Sequence, residues 1–171
     1  MTTDNAKDNA QARLDNIIDL TIRYGHALIC DGYVGEMEIR PRCQITDQRI
    51  AKTLDISPVT ADDRESYHNP EEALERIEGS LLDIGVRSGW SSLSDKPDST
   101  LEPAEYLITI PTGGPACRIR GGLDHNGVPD TLSRIEYQDW GTPWTELPIS
   151  STERTRLMEY AEALLATDWP F

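Results

Sequence analysis

The side chains best suited to metal binding begin with a histidine and a cysteine in the first third of the chain. His26 and Cys30 lie four residues apart, so both would face one side of a helix, and Cys43 follows them. Imidazole nitrogen and thiolate sulfur are common zinc ligands, so these three residues could form part of a zinc site. However, the chain has no C-x-x-C pair, and Cys30 equally suits a buried helical position. We favour the second interpretation and predict no metal or other cofactor.

Residues suited to acid–base chemistry lie at predicted turns near the C-terminus. Asp124, His125 and Asp139 are the candidates, and an enzyme that uses them remains an open alternative. Their separations do not match a recognisable nucleophile–base–acid order. The Gly113-Gly114 turn is not followed by Gly-Lys-Ser/Thr, so it is not a phosphate-binding loop. We therefore predict no catalytic residues.

The strongest feature of the sequence is its acidic middle. Nine acidic and two basic residues lie between Asp55 and Asp83, giving this stretch a charge of −7 out of −14 for the chain. Glu71, Glu75 and Glu78 would share one helix face, with neighbours about 5–6 Å apart, similar to phosphates along a DNA strand. This pattern predicts a DNA-mimicking surface, although a solvated helix face explains it too. The predicted partner-binding acids are Asp62, Asp63, Glu65, Glu71, Glu72, Glu75 and Glu78.

An aromatic segment supplies two further candidates. Tyr137, Trp140 and Trp144 lie within eight residues, with Gly and Pro between them. Aromatic side chains at this density either anchor a binding surface or complete a small β-core. We include Trp140 and Trp144 among the predicted partner-binding residues and leave the core interpretation open.

The same segment carries a resemblance. Residues 104–166, with the strings YLITIPTGGPACRIRGGLDHNGVPD and YQDWGTPWT, resemble a module of small proteins from phages, plasmids and other mobile elements. The YQDWGTPWT string is the specific part. The resemblance implies no catalytic activity. It implies a mobile-element context, in which small acidic proteins are similar to anti-CRISPR or anti-restriction inhibitors.

A second, weaker resemblance covers ITDQRIAKTLDISPVT, which is similar to the opening of a helix-turn-helix. Its second helix would begin near Pro58 and carry Asp62, Asp63 and Glu65 against Arg64 alone. Reading a DNA groove requires donors to phosphates and base edges, so this composition argues against DNA binding. An accessory regulator that acts through a protein partner remains an alternative.

Several elements must position these residues. Apolar periodicity predicts a helix from Ala10 to Cys30, with Leu14, Ile17 and Leu28 among its inward residues, after a frayed segment 1–9. Further predicted elements are a strand at Val34–Arg40, a short helix capped by Asp47, a loop at Ser57–His68, a helix from Asn69 to Gly85 or Gly89, and a linker at Ser91–Pro103. Predicted strands lie at Tyr106–Ile110, Ala116–Leu123 and Ser133–Trp140. Alternation along the second of these puts Cys117, Ile119 and Gly121 on one face and Arg118 and Arg120 on the other. A last helix begins with a capping box of Ser150 and Glu153 and runs to about Ala166.

This order predicts an α+β fold, in which N-terminal helices precede a three-stranded antiparallel meander closed by a C-terminal helix. We predict a mainly helical acidic region at 1–98 and the meander with its helix at 103–171, although the two could form one compact unit.

The overall charge sets the class of partner. The chain of 171 residues has 16 basic and 30 acidic residues, which disfavours direct contact with nucleic acid or an anionic membrane. It favours a basic protein or nucleoprotein complex, and a homodimer is a further alternative. No apolar run reaches membrane-spanning length, and the N-terminus lacks signal-peptide features, so we expect a cytoplasmic protein in the host cell. Together with the resemblance, this predicts an acidic inhibitor of a host-defence complex, a CRISPR effector first.

Overall fold

The computed structural model describes residues 3–34, 45–88, 103–111, 115–130 and 133–166. These residues form an α+β fold with helices first, an antiparallel sheet next and a helix last, as predicted. The elements are α1 Thr3–Val34, α2 Asp47–Leu54, α3 Ala61–Tyr67, α4 Pro70–Glu78, β1 Asp83–Ser88, β2 Pro103–Ile110, β3 Ala116–Gly122, β4 Arg134–Gln138, β5 Thr145–Glu146 and α5 Ser151–Leu165.

The sheet has five strands in the order β1-β2-β3-β4-β5, and not the three that the sequence predicts. Every neighbouring pair is antiparallel. The prediction missed β1 because it continued the preceding helix through Ile84, whereas Gly79 caps that helix at its C-terminal end. It missed β5 because two residues are too short to show an alternating pattern.

A row of isoleucines crosses the sheet and faces the core. The register pairs Ile84 with Ile108, Ile108 with Ile119, and Ile119 with Ile135. The last three are fully buried. Since side chains alternate across a strand, Arg118 and Arg120 fall on the opposite, open face, as the sequence predicts.

Helix α1 is longer than predicted. It begins at Thr3, and the buried Ala6 and Ala10 explain why the polar first turns remain helical. Leu14 and Ile17 are buried as expected, but Leu28 is exposed because α1 extends past the main core at its C-terminal end. Val34 is the last residue of the helix, so the predicted strand at Val34–Arg40 is wrong at its first residue, and the rest of it lies outside the described residues.

Two helix starts near the acidic stretch differ from prediction. The cap of α2 is Thr46, whose hydroxyl accepts from the Arg49 amide, and not Asp47. The predicted loop at Ser57–His68 contains α3, which begins with a reciprocal capping box between Thr60 and Asp63. The start of α4 is as predicted, since the Asn69 side chain caps it and Pro70 is its first residue.

Two clusters of buried side chains hold these elements together. The main core joins α1, α4 and α5 to one face of the sheet, so residues from both halves of the chain share it. A separate small cluster of Ile50, Leu54 and Tyr67 lies between α2 and α3. We call residues 45–68 the α2–α3 pair, and its own cluster makes it a satellite of the main core.

None of the helices in the described part of the chain has the length and apolar character required to cross a membrane.

Candidate functional site

The predicted acidic stripe lies on the outer face of α4. Glu71, Glu75 and Glu78 are all exposed, while Ala73 and Ile77 on the opposite face are buried. Within the described residues, the three carboxylates make no ion pair and accept no side-chain hydrogen bond. The stripe is about 10 Å long at 1.5 Å per residue. Three exposed carboxylates at this spacing, none of them ion-paired, form a surface that attracts cations and basic side chains.

The other predicted acids divide into two groups. Asp62 and Glu65 are exposed on α3 and extend the acidic surface beyond α4. Asp63 instead caps α3, where it accepts from the Thr60 amide at 2.7 Å and from the Thr60 hydroxyl at 2.6 Å. These hydrogen bonds hold the pKa of Asp63 below its usual value. Glu72 faces inward and accepts from Ser66 and Asn69, so Asp63 and Glu72 stabilise the helix ends.

We call Asp62, Glu65, Glu71, Glu75 and Glu78 the acidic surface. Only one basic side chain of α3 lies beside it, and Arg64 is already engaged by both carboxylate oxygens of Asp47, at 2.8 and 2.6 Å. In the folded protein, the Arg64 guanidinium is therefore paired with Asp47 and not with the acidic residues that flank it in the sequence. The local negative charge is therefore less compensated than the sequence suggests.

The two predicted tryptophans have different environments. Trp140 is 83% exposed in the turn after β4, where Gly141 has a positive φ of 76°. Trp144 is half-buried, and the Arg118 guanidinium lies 3.8 Å from its ring centroid, within cation–π range. Trp144 therefore packs on the open face of the sheet, whereas Trp140 is an apolar side chain exposed to solvent.

The tryptophans and the acidic surface belong to different regions of the topology. Helix α4 leads into β1 at one edge of the sheet, while Trp140 and Trp144 lie between β4 and β5 at the other edge. The structure does not join these two predicted groups into one continuous motif.

The open face of the sheet contains a cluster of arginines that no sequence motif marks as a site. Arg87 and Arg120 both contact Glu105, while Arg118 and Arg134 both contact Glu136. The alternating pattern of β3 indicated where two of them point, but their partners come from other strands. The register also places Asp83 and Glu146 on this face, so four arginines meet four acidic residues there and the face has no net positive charge.

A cluster of three metal-binding side chains lies where α1 meets the end of α3. One ligand atom from each of His26, Cys30 and His68 lies within 4.8 Å of the other two, and all three side chains are half-buried. The Sγ of Cys30 is 3.4 Å from Nε2 of His26. The spacing of four residues placed His26 and Cys30 on one helix face, as observed, but the third candidate in the sequence, Cys43, lies outside the described residues. His68 was missed because it is 42 residues from His26 in the chain.

The buried Arg23 holds α1 and α3 at this distance. Its guanidinium donates to the Ser66 carbonyl at 2.7 Å and to the Tyr67 carbonyl at 3.4 Å. It also lies 5.6 Å from the centre of the Tyr67 ring. Burial lowers the pKa of Arg23, and the neighbouring Arg76 lowers it further. The hydrogen bonds to these two carbonyls offset part of the desolvation cost of burying the Arg23 guanidinium.

The residues proposed for an alternative enzyme do not converge. Asp124 accepts amide hydrogen bonds from Asn126 and Val128, which form the turn before β4 and lower the pKa of Asp124. Asp139 follows β4 and accepts from the Trp140 amide. The two carboxylates are therefore at opposite ends of a five-residue strand, about 17 Å long. Each carboxylate has a local structural role in a turn.

The helix-turn-helix interpretation also lacks support in the geometry. Helices α2 and α3 are separated by residues 55–60, longer than the three or four residues of such motifs. The second helix begins at Ala61 and not near Pro58, and its exposed side carries Asp62 and Glu65. A DNA phosphate would be repelled by these side chains.

No protein-family model, curated protein or solved structure matches the chain.

Proposed function

We propose that the protein is an acidic inhibitor that uses the acidic surface of α3 and α4 to occupy a basic nucleic-acid-binding groove of another protein. The observation that carries this proposal is the exposed stripe of Glu71, Glu75 and Glu78, whose carboxylates form no ion pair with any described residue. Its carboxylates repeat at the spacing of a phosphate backbone.

Local structure supports presentation of this stripe as a rigid surface. The Asn69 cap and Pro70 define the start of α4, and the buried Ile77 anchors it against the main core. The hydroxyl of Ser80, just after the helix, bonds the buried Tyr160 hydroxyl of α5 at 2.7 Å. A preorganised surface loses less entropy on binding than a flexible acidic tail would.

The resemblance to mobile-element proteins directs the choice of partner. A CRISPR effector is the first class to test and a restriction enzyme the second, because both expose basic grooves to DNA and act in the host cytoplasm. In this proposal the protein competes with nucleic acid and does not bind it, consistent with its net charge of −14.

The test is a binding titration against purified CRISPR effectors, followed by competition with their DNA substrate. The variant Glu71→Lys/Glu75→Lys/Glu78→Lys should bind at least about 100-fold more weakly, because like charges across an interface cost several kcal/mol. The matched control is Asp8→Lys/Glu146→Lys/Glu162→Lys, which makes the same change in net charge at exposed acids on α1, β5 and α5.

Wild-type affinity should fall steeply as salt is raised, because exposed charges are screened. Equal weakening by both triple variants would reduce the effect to net charge and refute a localised acidic site. Undiminished binding by the α4 variant would refute the proposal itself. Circular dichroism should show that both variants remain folded, with a cost of roughly 0.3–1 kcal/mol for a cation at the N-terminal turn of α4.

A further inference from the structure

The cluster of His26, Cys30 and His68 has the chemistry and spacing of a metal site. In a tetrahedral zinc site with bonds of about 2.0–2.1 Å to nitrogen and 2.3 Å to sulfur, a nitrogen and a sulfur ligand lie about 3.6 Å apart. The observed 3.4 Å between Nε2 of His26 and Sγ of Cys30 is close to this value. All three ligand atoms lie within 4.8 Å of one another, so no pair needs to shorten by more than about 1.5 Å, which side-chain rotation can provide.

The local structure orients two of the ligands. His26 and Cys30 lie one helical turn apart on α1, where successive turns place side chains on one face. His68 caps the end of α3, and its Nδ1 lies 2.5 Å from the Arg64 carbonyl oxygen. A carbonyl only accepts, so Nδ1 carries the proton and Nε2 has the lone pair that a metal requires. Such a hydrogen bond behind the ligand is typical of metal-binding histidines.

The surroundings hold the cluster together without closing it. Arg23 anchors the end of α3 to α1 through two carbonyls, and the Tyr67 ring lies 6.1 Å from the His26 ring and 5.6 Å from the His68 ring. The three ligand side chains are only half-buried, so an ion can reach them from solvent.

We propose that His26, Cys30 and His68 together bind one zinc ion as three of its ligands. Binding replaces the thiol proton of Cys30 by the metal, so one proton is released to solvent when Cys30 starts as the thiol. Two imidazoles and one thiolate favour zinc over magnesium or calcium, which prefer oxygen ligands.

The expected consequence is a metal clamp between α1 and the α2–α3 pair. The pair has its own small cluster, apart from the main core. A zinc ion bonded to both α1 and α3 would add a direct connection between them. The same clamp would hold Asp62 and Glu65 of the acidic surface in place relative to α1. This inference does not depend on the identity of the protein's partner.

The first experiment uses the full-length wild-type protein and a cobalt titration. One equivalent of Co²⁺ should produce a thiolate-to-metal charge-transfer band together with the visible bands of a tetrahedral site, and Zn²⁺ should displace it. Zinc should bind at 1:1 stoichiometry by isothermal titration calorimetry. Absence of the charge-transfer band at saturating Co²⁺, or zinc binding only weakly and without defined stoichiometry, would overturn the proposal.

Variants then test the ligand set. His26→Gln, Cys30→Ala and His68→Gln should each weaken zinc binding by more than about 100-fold, because loss of an outer-shell partner alone costs 10- to 100-fold. His125→Gln, in an exposed turn, and Cys117→Ala, in the sheet, are the matched controls and should bind like the wild type. Burial raises the pKa of the Cys117 thiol to about 12, so it offers no thiolate at neutral pH.

Thermal unfolding provides a readout that does not require every variant to be equally stable. Zinc should raise the midpoint of the wild type and of both control variants, and leave each ligand variant unchanged relative to its own metal-free midpoint. A zinc-dependent rise that persists in Cys30→Ala would exclude Cys30 as a ligand and refute the proposed site.

Discussion

Replacing Arg23 by methionine should loosen the α2–α3 pair while leaving the sheet intact. Arg23 is fully buried and donates to the carbonyls of Ser66 and Tyr67, so it connects α1 directly to the end of α3. A further polar connection is made by Asp19 of α1, which contacts Arg49 at 2.8 Å and Lys52 at 3.1 Å. Methionine retains the length of the side chain but removes both hydrogen bonds.

The expected loss of stability in Arg23→Met follows from the geometry of the two hydrogen bonds. The 2.7 Å bond to Ser66 is a charge-assisted hydrogen bond, a class that contributes about 1.5–3 kcal/mol. The 3.4 Å bond to Tyr67 is long and contributes less, and the Ser66 carbonyl keeps a second donor in the Asn69 amide at 3.2 Å. Removing the guanidinium also removes its desolvation cost. That cost includes the buried Nη1 of Arg23, which has no hydrogen-bond partner among the described residues. We therefore expect a net loss of about 1–2 kcal/mol, equivalent to roughly 5- to 30-fold in an equilibrium constant.

Native-state hydrogen exchange is the appropriate assay because it reports opening of individual segments. Amides of α2 and α3 should exchange roughly 5- to 30-fold faster in Arg23→Met under conditions where exchange follows the opening equilibrium. Amides at the centre of the sheet, such as Ile119, should retain their protection, because they belong to the main core.

Two outcomes would refute this reasoning. Equal loss of protection in the sheet and in α2–α3 would show that the pair is not a separate unit, and no loss in either would show that Arg23 does not connect the helices. Arg76→Met is the control, since it removes an exposed arginine whose charge lowers the pKa of Arg23. Removing that repulsion should leave exchange unchanged or slightly slower.

Two further predictions concern the sheet and the last helix. A Cβ at Gly121 would lie 2.6 Å from the buried Tyr106 hydroxyl oxygen. Gly121→Ala should therefore lower the free energy of unfolding, measured in urea, by about 1–3 kcal/mol. The control is Gly85→Ala, whose Cβ would have no atom within 4 Å and which should change the free energy of unfolding by less than about 0.5 kcal/mol. Hydrogen bonds from Ser150 hold the pKa of Glu153 below its usual value. The stabilisation from this carboxylate should therefore be complete above its unfolded-state pKa of about 4.3 and be lost as pH falls through the folded-state pKa. In urea unfolding at pH 7, the free energies of unfolding of wild type and Glu153→Gln should differ by up to about 0.5 kcal/mol, a small value because solvent screens this exposed carboxylate. The difference should disappear at low pH. A difference that stays constant with pH would contradict the assignment.

Local signals allowed several elements to be predicted from the sequence. The capping box of Ser150 and Glu153 and the Asn69-Pro70 start involve residues within three positions of each other, so their geometry is encoded locally. Alternation along β3 likewise predicted which side chains face the core. The same rules failed at α3, where the Thr60 capping box begins a seven-residue helix within a stretch that is otherwise polar and acidic.

The sequence alone determined the α+β class, the large negative charge and the placement of Glu71, Glu75 and Glu78 on one helix face, because composition and short-range periodicity encode these properties. Tertiary structure decided which distant groups meet. In the folded protein β1 pairs with β2, Arg64 forms an ion pair with Asp47, and His68 lies next to His26 and Cys30. Each of these contacts joins residues that are distant in the chain, and the last depends on how α1 packs against the α2–α3 pair. The buried Arg23, bonded to backbone carbonyls, holds that packing and leaves no periodic pattern in the sequence.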